Sequence, residues 1–309
     1  YSPIKHVFDR GIRLRRRLGE PDCPLDFTML DRFRDEGVTD FVALPLRASD
    51  GAMHASAWMT RAQGGFIARH IDVLHAIEKP LARMVEVRSL KRTAVNLLDT
   101  YVGGQAGGRI LSGHIRRGDI EAIRAAIWLS DMRGFTARAD RMKAPDLVEL
   151  LNRYFDCQVP AIREAGGEVL KFMGDGLLAI FPVGDQAENA VCGTVLSAAR
   201  AIEAGVAAAD WGGLEAPGGV KFGVALHIGE VMYGNVGSAN RLDFTCIGPA
   251  VNLAARLEKI AGRLKRIVVA SEQFAGICGS DWVDLGEFPI AGFARAERVY
   301  GLADETVES

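Results

Sequence analysis

No CxxC pair occurs anywhere in this chain, and its five cysteines (Cys23, Cys157, Cys192, Cys246 and Cys278) are scattered. An odd, dispersed count reads as buried thiols in a reducing compartment rather than a disulfide or zinc framework. No run reaches ~18 uncharged apolar residues, so no transmembrane helix is expected. An excess of one charge is missing too, since 37 Lys and Arg against 39 Asp and Glu leave a net charge of −2. This balance excludes a protein held mainly by nucleic-acid phosphates. The opening Tyr1-Ser2-Pro3 has neither an apolar signal core nor an initiating Met, so the sequence reads as a piece of a longer chain. A cytoplasmic location is expected.

Glycine, by contrast, is plentiful. It supplies 35 of 309 residues, where ~7% is the average share. So many glycines point to tight turns and close backbone approaches, where ligand sites often form. The length predicts two domains, and 49% hydrophobic residues suffice for a real core.

In the first 100 residues, Arg13, Arg15, Arg16 and Arg17 form a basic run among Ile12, Leu14 and Leu18. This reads as the solvated face of a helix, with an anionic surface partner as the alternative. Phe41–Arg47 and Met53–Thr60 read as strands joined at Ser49-Asp50-Gly51, since Asp-Gly tolerates positive φ. From Asp72 to Thr100 a long helix is predicted, with Leu74, Ile77, Leu81, Met84 and Val85 at helical spacing and a kink at Pro80. Its apolar stripe fits a core or a parallel dimer seam. A hairpin with a long exit helix resembles, in architecture only, part of a small sensor domain of the GAF or PAS kind. Residues 101–120 form a glycine-rich connector that lacks the Gly-Lys-Ser/Thr of a phosphate-binding P-loop, and read as a structured linker.

From Ile123 the pattern changes. Strands are predicted at Ile123–Met132, Val169–Met173, Leu177–Phe181, Val220–His227, Val231–Tyr233 and Ile267–Ala270. Helices are predicted at Asp146–Glu164, Glu188–Ala209 and Val251–Ala261. Gly174-Asp175-Gly176 reads as a hairpin turn and Ile228-Gly229-Glu230 as a break between strands. Irregular alternation with hairpins predicts an α+β domain.

Two acidic residues sit at strand ends in glycine-bearing turns, Asp131 in SDMRGFT and Asp175 in MGDG. Carboxylates so placed suit Mg²⁺, which takes one or two of them and fills its shell with phosphate oxygens and water. Gly134 and Thr136 open the next predicted helix, whose N-terminus attracts phosphate. Asn252 and Arg256, at i and i+4, share one helix face. An amide beside a guanidinium suits a ribose oxygen and a phosphate. His227 reads as a packed strand-end residue, Trp128 and Phe172 as core, and Asn235 as a turn residue. His114 has no partner at metal spacing.

The segments DMRGFT, LNRYF, EAGGEVLKFMGDGLLAIF, HIGEVMYGNVGS, RLDFTCIG and VNLAARLE occur in that order. Together they make the chain from about Asp119 to Leu302 resemble the class III adenylate/guanylate cyclase catalytic domain. The resemblance implies a ferredoxin-like α+β fold with a βααββαβ-type core. Together with the hairpin, the long helix and the connector, it divides the chain into a sensor-like regulatory domain (1–100), a linker (101–120) and a catalytic domain (121–309). It implies that Asp131, Asp175 and the Met132 carbonyl hold two divalent ions, Mg²⁺ or Mn²⁺. Gly134, Phe135 and Thr136 would cradle phosphate, Asn252 would orient the ribose, and Arg256 would stabilise charge on the α-phosphate. Lys171 and Thr245 match the base-recognising pair. Adenine offers a donor amine and an acceptor nitrogen, which suit a lysine that only donates and a hydroxyl that accepts. Guanine-selecting members carry an acidic residue in place of Lys171.

The expected activity is therefore conversion of ATP to 3′,5′-cyclic AMP and pyrophosphate. It is expected in a homodimer with shared sites, under an unknown regulator of the N-terminal region. A register ambiguity and one departure from the family's pattern keep alternatives open. Guanylate cyclases often place Cys at the Thr245 position, and Cys246 is one residue away. The family's C-terminal triphosphate lysine is missing from Phe288–Arg295, where Arg295 or Arg298 stands as a replacement; an ATP-binding pseudo-cyclase is the corresponding alternative. The Gly-Gly-Asp/Glu-Glu-Phe signature of a diguanylate cyclase is absent.

Overall fold

The computed structural model describes residues 2–214, 219–238, 240–279, 281–290, 292–293 and 295–305. It contains two compact units, residues 1–96 and 97–309.

The first unit begins with helix α1 (Pro3–Arg10), strand β1 (Leu14–Arg16) and helix α2 (Thr28–Asp35). The hairpin β2 (Asp40–Arg47) and β3 (Met53–Thr60) follows, with its turn at Asp50-Gly51 as predicted. The three strands form an antiparallel sheet in the order β1-β2-β3. Within the arginine run, Leu14–Arg16 is thus strand, and no part of the run is helical. Leu14 is buried in one cluster with Phe27, Leu30 and Phe41, while Arg15, paired with Val42 of β2, turns its guanidinium to the buried Asp40 carboxylate at 2.7 Å. Long-range pairing with β2 outweighs local helical propensity here. Helix α3 (Ala68–Tyr101) continues unbroken through Pro80. Of its predicted stripe Leu74 is buried, whereas Met84 is exposed.

In the second unit the glycine-rich connector contains helix α4 (Gly104–Leu111). An α+β arrangement follows: β4 (Ile120–Met132), α5 (Phe135–Ala139), α6 (Ala144–Glu164), β5 (Glu168–Met173), β6 (Gly176–Pro182), α7 (Glu188–Ala208), β7 (Phe222–Ser238), β8 (Arg241–Ile247), α8 (Pro249–Leu264), β9 (Val268–Ser271), α9 (Glu272–Cys278), β10 (Trp282–Phe288) and β11 (Glu297–Leu302). The sheet order is β10-β11-β9-β7-β4-β6-β5, with β8 paired to β7. One hydrophobic cluster lies under α6, α7 and α9, around Trp128, Tyr154 and Phe274. A second lies under α8, around Ile127, Leu253 and Leu257. By length and composition α7 could cross a membrane. In this fold it gives eight residues, among them Val195 and Ile202, to the core.

Further expectations change in the second unit. The predicted break at Ile228-Gly229-Glu230 is absent, because β7 is one 17-residue strand held by β4 along thirteen paired positions, from Ile120↔Gly234 to Met132↔Phe222. Gly229 serves close packing and not a turn, since a Cβ there would lie 2.9 Å from the Ala250 Cβ of α8. Asn235 is a buried strand residue whose amide donates to the His114 carbonyl at 2.9 Å. Phe172, expected in the core, is 51% exposed. It lies on β5 at the end of the sheet order, where its ring leans on Phe155 at 4.5 Å between centroids.

Candidate active site

The strand register brings the two acidic turns together. Ser130 of β4 pairs with Leu177 of β6, so the β5–β6 turn carrying Asp175 abuts the end of β4 carrying Asp131. Gly174 takes φ 69 in that turn, a conformation that favours glycine. The two carboxyl groups are close enough to interact. Burial, the hydrogen bond and the Asp175 charge push Asp131 up to about 7, against the opposing pull of Arg133. Two crowded, half-buried carboxyl groups need a proton or a cation between them.

That donor set fits a hard divalent ion. Among the described residues no cluster of three or more His, Cys, Asp or Glu side chains occurs. The Asp pair is therefore a two-carboxylate set, which suits Mg²⁺ or Mn²⁺ sharing its shell with phosphate oxygens and water. Just beyond, Gly134 adopts φ 69 and leads into Phe135 and Thr136 at the start of α5. Beneath, Ser130 points the other way and donates to Gln158 at 2.6 Å inside the core. Sequence reasoning passed over both residues. The signal for Ser130 was strand alternation, which sends the neighbour of an outward Asp131 inward.

Lys171 lies near the end of β5, and its Nζ donates to Asp243 Oδ2 of β8 at 2.6 Å. Asp243 was also missed. It stands two residues before Thr245 on a strand, and that spacing puts both on one face. The Lys171 hydrogen bond and charge hold the Asp243 carboxyl below its usual range. Lys171, Asp243 and Thr245 line one cavity of about 560 Å³. Cys246 faces the opposite way, 3% exposed in the second core cluster, and burial pushes its thiol up to about 12.

Asn252 and Arg256 stand on the exposed side of α8, whose other side buries Leu253, Ala254 and Leu257. Arg133, two residues after Asp131, bonds Glu258 of the same helix at 2.8 Å. None of Asp131, Asp175, Asn252 or Arg256 lines the Lys171 cavity. Arg298 projects from β11 onto β10, bonding Glu287 at 2.8 Å and lying 3.7 Å from Asp284. Arg295 is exposed ahead of β11. His227 is buried, with Nδ1 2.7 Å from Ser271 Oγ.

The adenylate and guanylate cyclase catalytic domain family matches residues 121–301, more than half of the chain. The chain belongs to that family. A terminal-differentiation-specific adenylate cyclase of Dictyostelium discoideum is 34% identical over 146 residues, covering 46% of this chain and 7% of that protein. An adenylate cyclase of Anabaena cylindrica is 32% identical over 145 residues, covering 47% of this chain and 29% of that protein. The match therefore spans less than a third of either relative. Among solved structures, the adenylyl cyclase CyaB of P. aeruginosa superposes with a TM-score of 0.52 at 25% identity, covering 60% of this chain and 97% of that one. The second unit of this chain has the class III cyclase catalytic fold, and an α/β region precedes it.

Proposed function

We propose that this cyclase converts ATP to 3′,5′-cyclic AMP and pyrophosphate. The observation that carries adenine selectivity is the Lys171–Asp243 pair on the face that also bears Thr245. Asp243 accepts a hydrogen bond from one of the three ammonium N–H groups and leaves Lys171 two donors for an acceptor nitrogen of the base. The Thr245 hydroxyl can accept from adenine's exocyclic amine. Guanine presents a carbonyl and a ring N–H on that edge, and its N–H would face a lysine that cannot accept.

Asp131, Asp175 and the Met132 carbonyl would hold two divalent ions, which when bound supply charge neutralisation and activate the ribose hydroxyl. Asn252 orients the ribose, and Arg256 faces the α-phosphate as negative charge builds there. Backbone amides at Phe135 and Thr136, freed by the Gly134 turn, take phosphate oxygens. The 3′-oxygen forms a bond to the α-phosphorus, the bond to the bridging oxygen of pyrophosphate breaks, and the hydroxyl proton is lost. Positioning and electrostatics do the work, as in other phosphoryl transfers.

The cavity bearing Lys171 and Thr245 includes neither Asp131 nor Asp175. This supports sites completed by a second copy; the family resemblance implies that the acidic pair of one protomer faces the base pocket and α8 of its partner. The exposed Phe172 and Met173 supply apolar surface for such pairing. The first 100 residues would act as a regulatory domain joined through the 101–120 linker. ATP as substrate and five free thiols fit a cytoplasmic location.

A second reading, an ATP-binding pseudo-cyclase, draws on one observation: Arg298 is engaged by Glu287 and Asp284 and so is spent as a triphosphate ligand. One assay decides between them. The purified chain with Mn²⁺ is given ATP or GTP and the products are separated by chromatography. Cyclic AMP from ATP in excess over cyclic GMP from GTP supports the first reading. Preferred cyclic GMP would overturn base selectivity, and no product with tight ATP binding would establish the second reading.

A further inference from the structure

Glu168 is 5% exposed and sits on β5 three residues before Lys171. An odd spacing on a regular strand would send the two side chains to opposite faces. The β5–β6 register prevents that. Glu168 pairs with Ile180 and Lys171 with Leu178, and Leu170 is the extra residue of a bulge between them. Since Ile180 and Leu178 share a face, so do Glu168 and Lys171. Bulges commonly re-aim a side chain in this way.

The Glu168 carboxylate is satisfied from two directions. One oxygen accepts from the Ala106 N–H at 2.9 Å, and the other accepts from the Tyr233 hydroxyl of β7. Ala106 is the third residue of α4, and an N–H there has no carbonyl partner within its own helix. Glu168 therefore caps α4 from a distant strand. The same helix is held a second time by Arg109, which lies 5.0 Å from the Tyr233 ring centroid and pairs with Glu121 of β4. The α3–α4 junction from Asp99 to Gln105 also walls the cavity that Lys171, Asp243 and Thr245 line.

We infer that Glu168 is a positioning residue that clamps the start of α4 to β5 and so sets the placement of Lys171. A displacement of α4 is then felt at the base-recognising side chain. This rests on the reading of Lys171 given under Proposed function, and the test separates the two.

Three variants of the full chain cut the clamp from different sides. Ala106→Pro removes the N–H donor where the first turn of a helix tolerates proline, Tyr233→Phe removes the hydroxyl donor, and Glu168→Gln converts the acceptor. The first readout, amide hydrogen exchange, needs no turnover. Exchange across residues 168–173 is expected to rise about tenfold in Ala106→Pro, with residues 268–271 of β9 unchanged. The second readout is kinetic: KM for ATP rises severalfold and the preference for ATP over GTP shrinks, while kcat holds. Unchanged exchange in β5 for both Ala106→Pro and Tyr233→Phe would overturn the inference. So would lowered thermal stability with KM and base preference as in the parent. If the parent chain turns over neither nucleotide, the proposed activity fails by itself and the exchange result still decides the clamp.

Discussion

Lys171 of β5 and Asp243 of β8 lie 72 residues apart in sequence and meet at 2.6 Å, Nζ to Oδ2. Both side chains are about half exposed, so as a stability element the pair is worth ~0–1 kcal/mol. Its value is orientation. Asp243→Ala should leave the melting temperature nearly unchanged yet lower kcat/KM for ATP by about tenfold, roughly the worth of one charge-assisted hydrogen bond. Lys171→Glu should reverse the base preference. Steady-state kinetics with ATP and GTP on variants checked by thermal melting would show this, and a loss of stability with preference intact would count against it.

Asp131→Ala should abolish cyclic nucleotide production while the domain stays folded. Removing one of two crowded carboxyl groups relieves repulsion, so the metal-free variant should melt no lower than the parent. Mn²⁺ should raise the parent's stability by ~2.7 kcal/mol at a hundredfold excess over its Kd and leave the variant unmoved. Thermal melts with and without Mn²⁺ check both statements.

Mixing Asp131→Ala with Arg256→Ala, each inactive alone, should restore part of the activity. In a mixed dimer one site would receive an intact acidic pair from one chain and an intact α8 from the other. Sedimentation should show a dimer in the active mixture. Full activity from a monomeric parent would contradict shared sites.

His227 links pH to stability. Burial pushes its pKa down to about 4, below the ordinary 6.5. Ser271 Oγ accepts from the Phe274 N–H at 3.2 Å at the start of α9. Its own proton can then point to His227 Nδ1, which suits a neutral imidazole. A lowered histidine pKa means that the unfolded chain binds the extra proton first. This contribution is complete above about pH 6.5 and is lost as pH falls towards 4. Denaturant melts between pH 4 and 7 should show a slope that flattens in His227→Gln. Ser271→Ala should cost ~1 kcal/mol through the lost helix cap.

Gly229→Ala tests how α8 is seated. The added methyl would lie 2.9 Å from Ala250 and 3.0 Å from His227 Nε2. Overpacking of this kind costs ~1–3 kcal/mol. Because α8 carries Asn252 and Arg256, kcat should fall along with the melting temperature.

Much of the second unit was legible beforehand because its signals are local. The α6 periodicity and the hairpin at Gly174-Asp175 each declare themselves within a few residues. Strand β7 did not, because a glycine and a glutamate inside it imitate a turn until the partner strand is known. The arginine run around Leu14 failed for a related reason, as its short strand is defined only by pairing with β2. Strands β8, β10 and β11 were not anticipated. Their composition is mixed and their pairings are non-local.

The sequence by itself determined the family, the α+β class and the residue types available for chemistry, because ordered motifs and short-range periodicity lie within the chain's own string. Which neighbour of a motif takes part was decided by tertiary structure alone. Thr245 and Cys246 are adjacent in sequence, but the β7–β8 pairing turns one towards the Lys171 cavity and the other into the core. Glu168 and Lys171 share a face only through the bulge at Leu170, and Asp243 reaches Lys171 only because two distant strand ends meet. Register and bulges come from long-range backbone pairing, and no window of neighbouring residues encodes them.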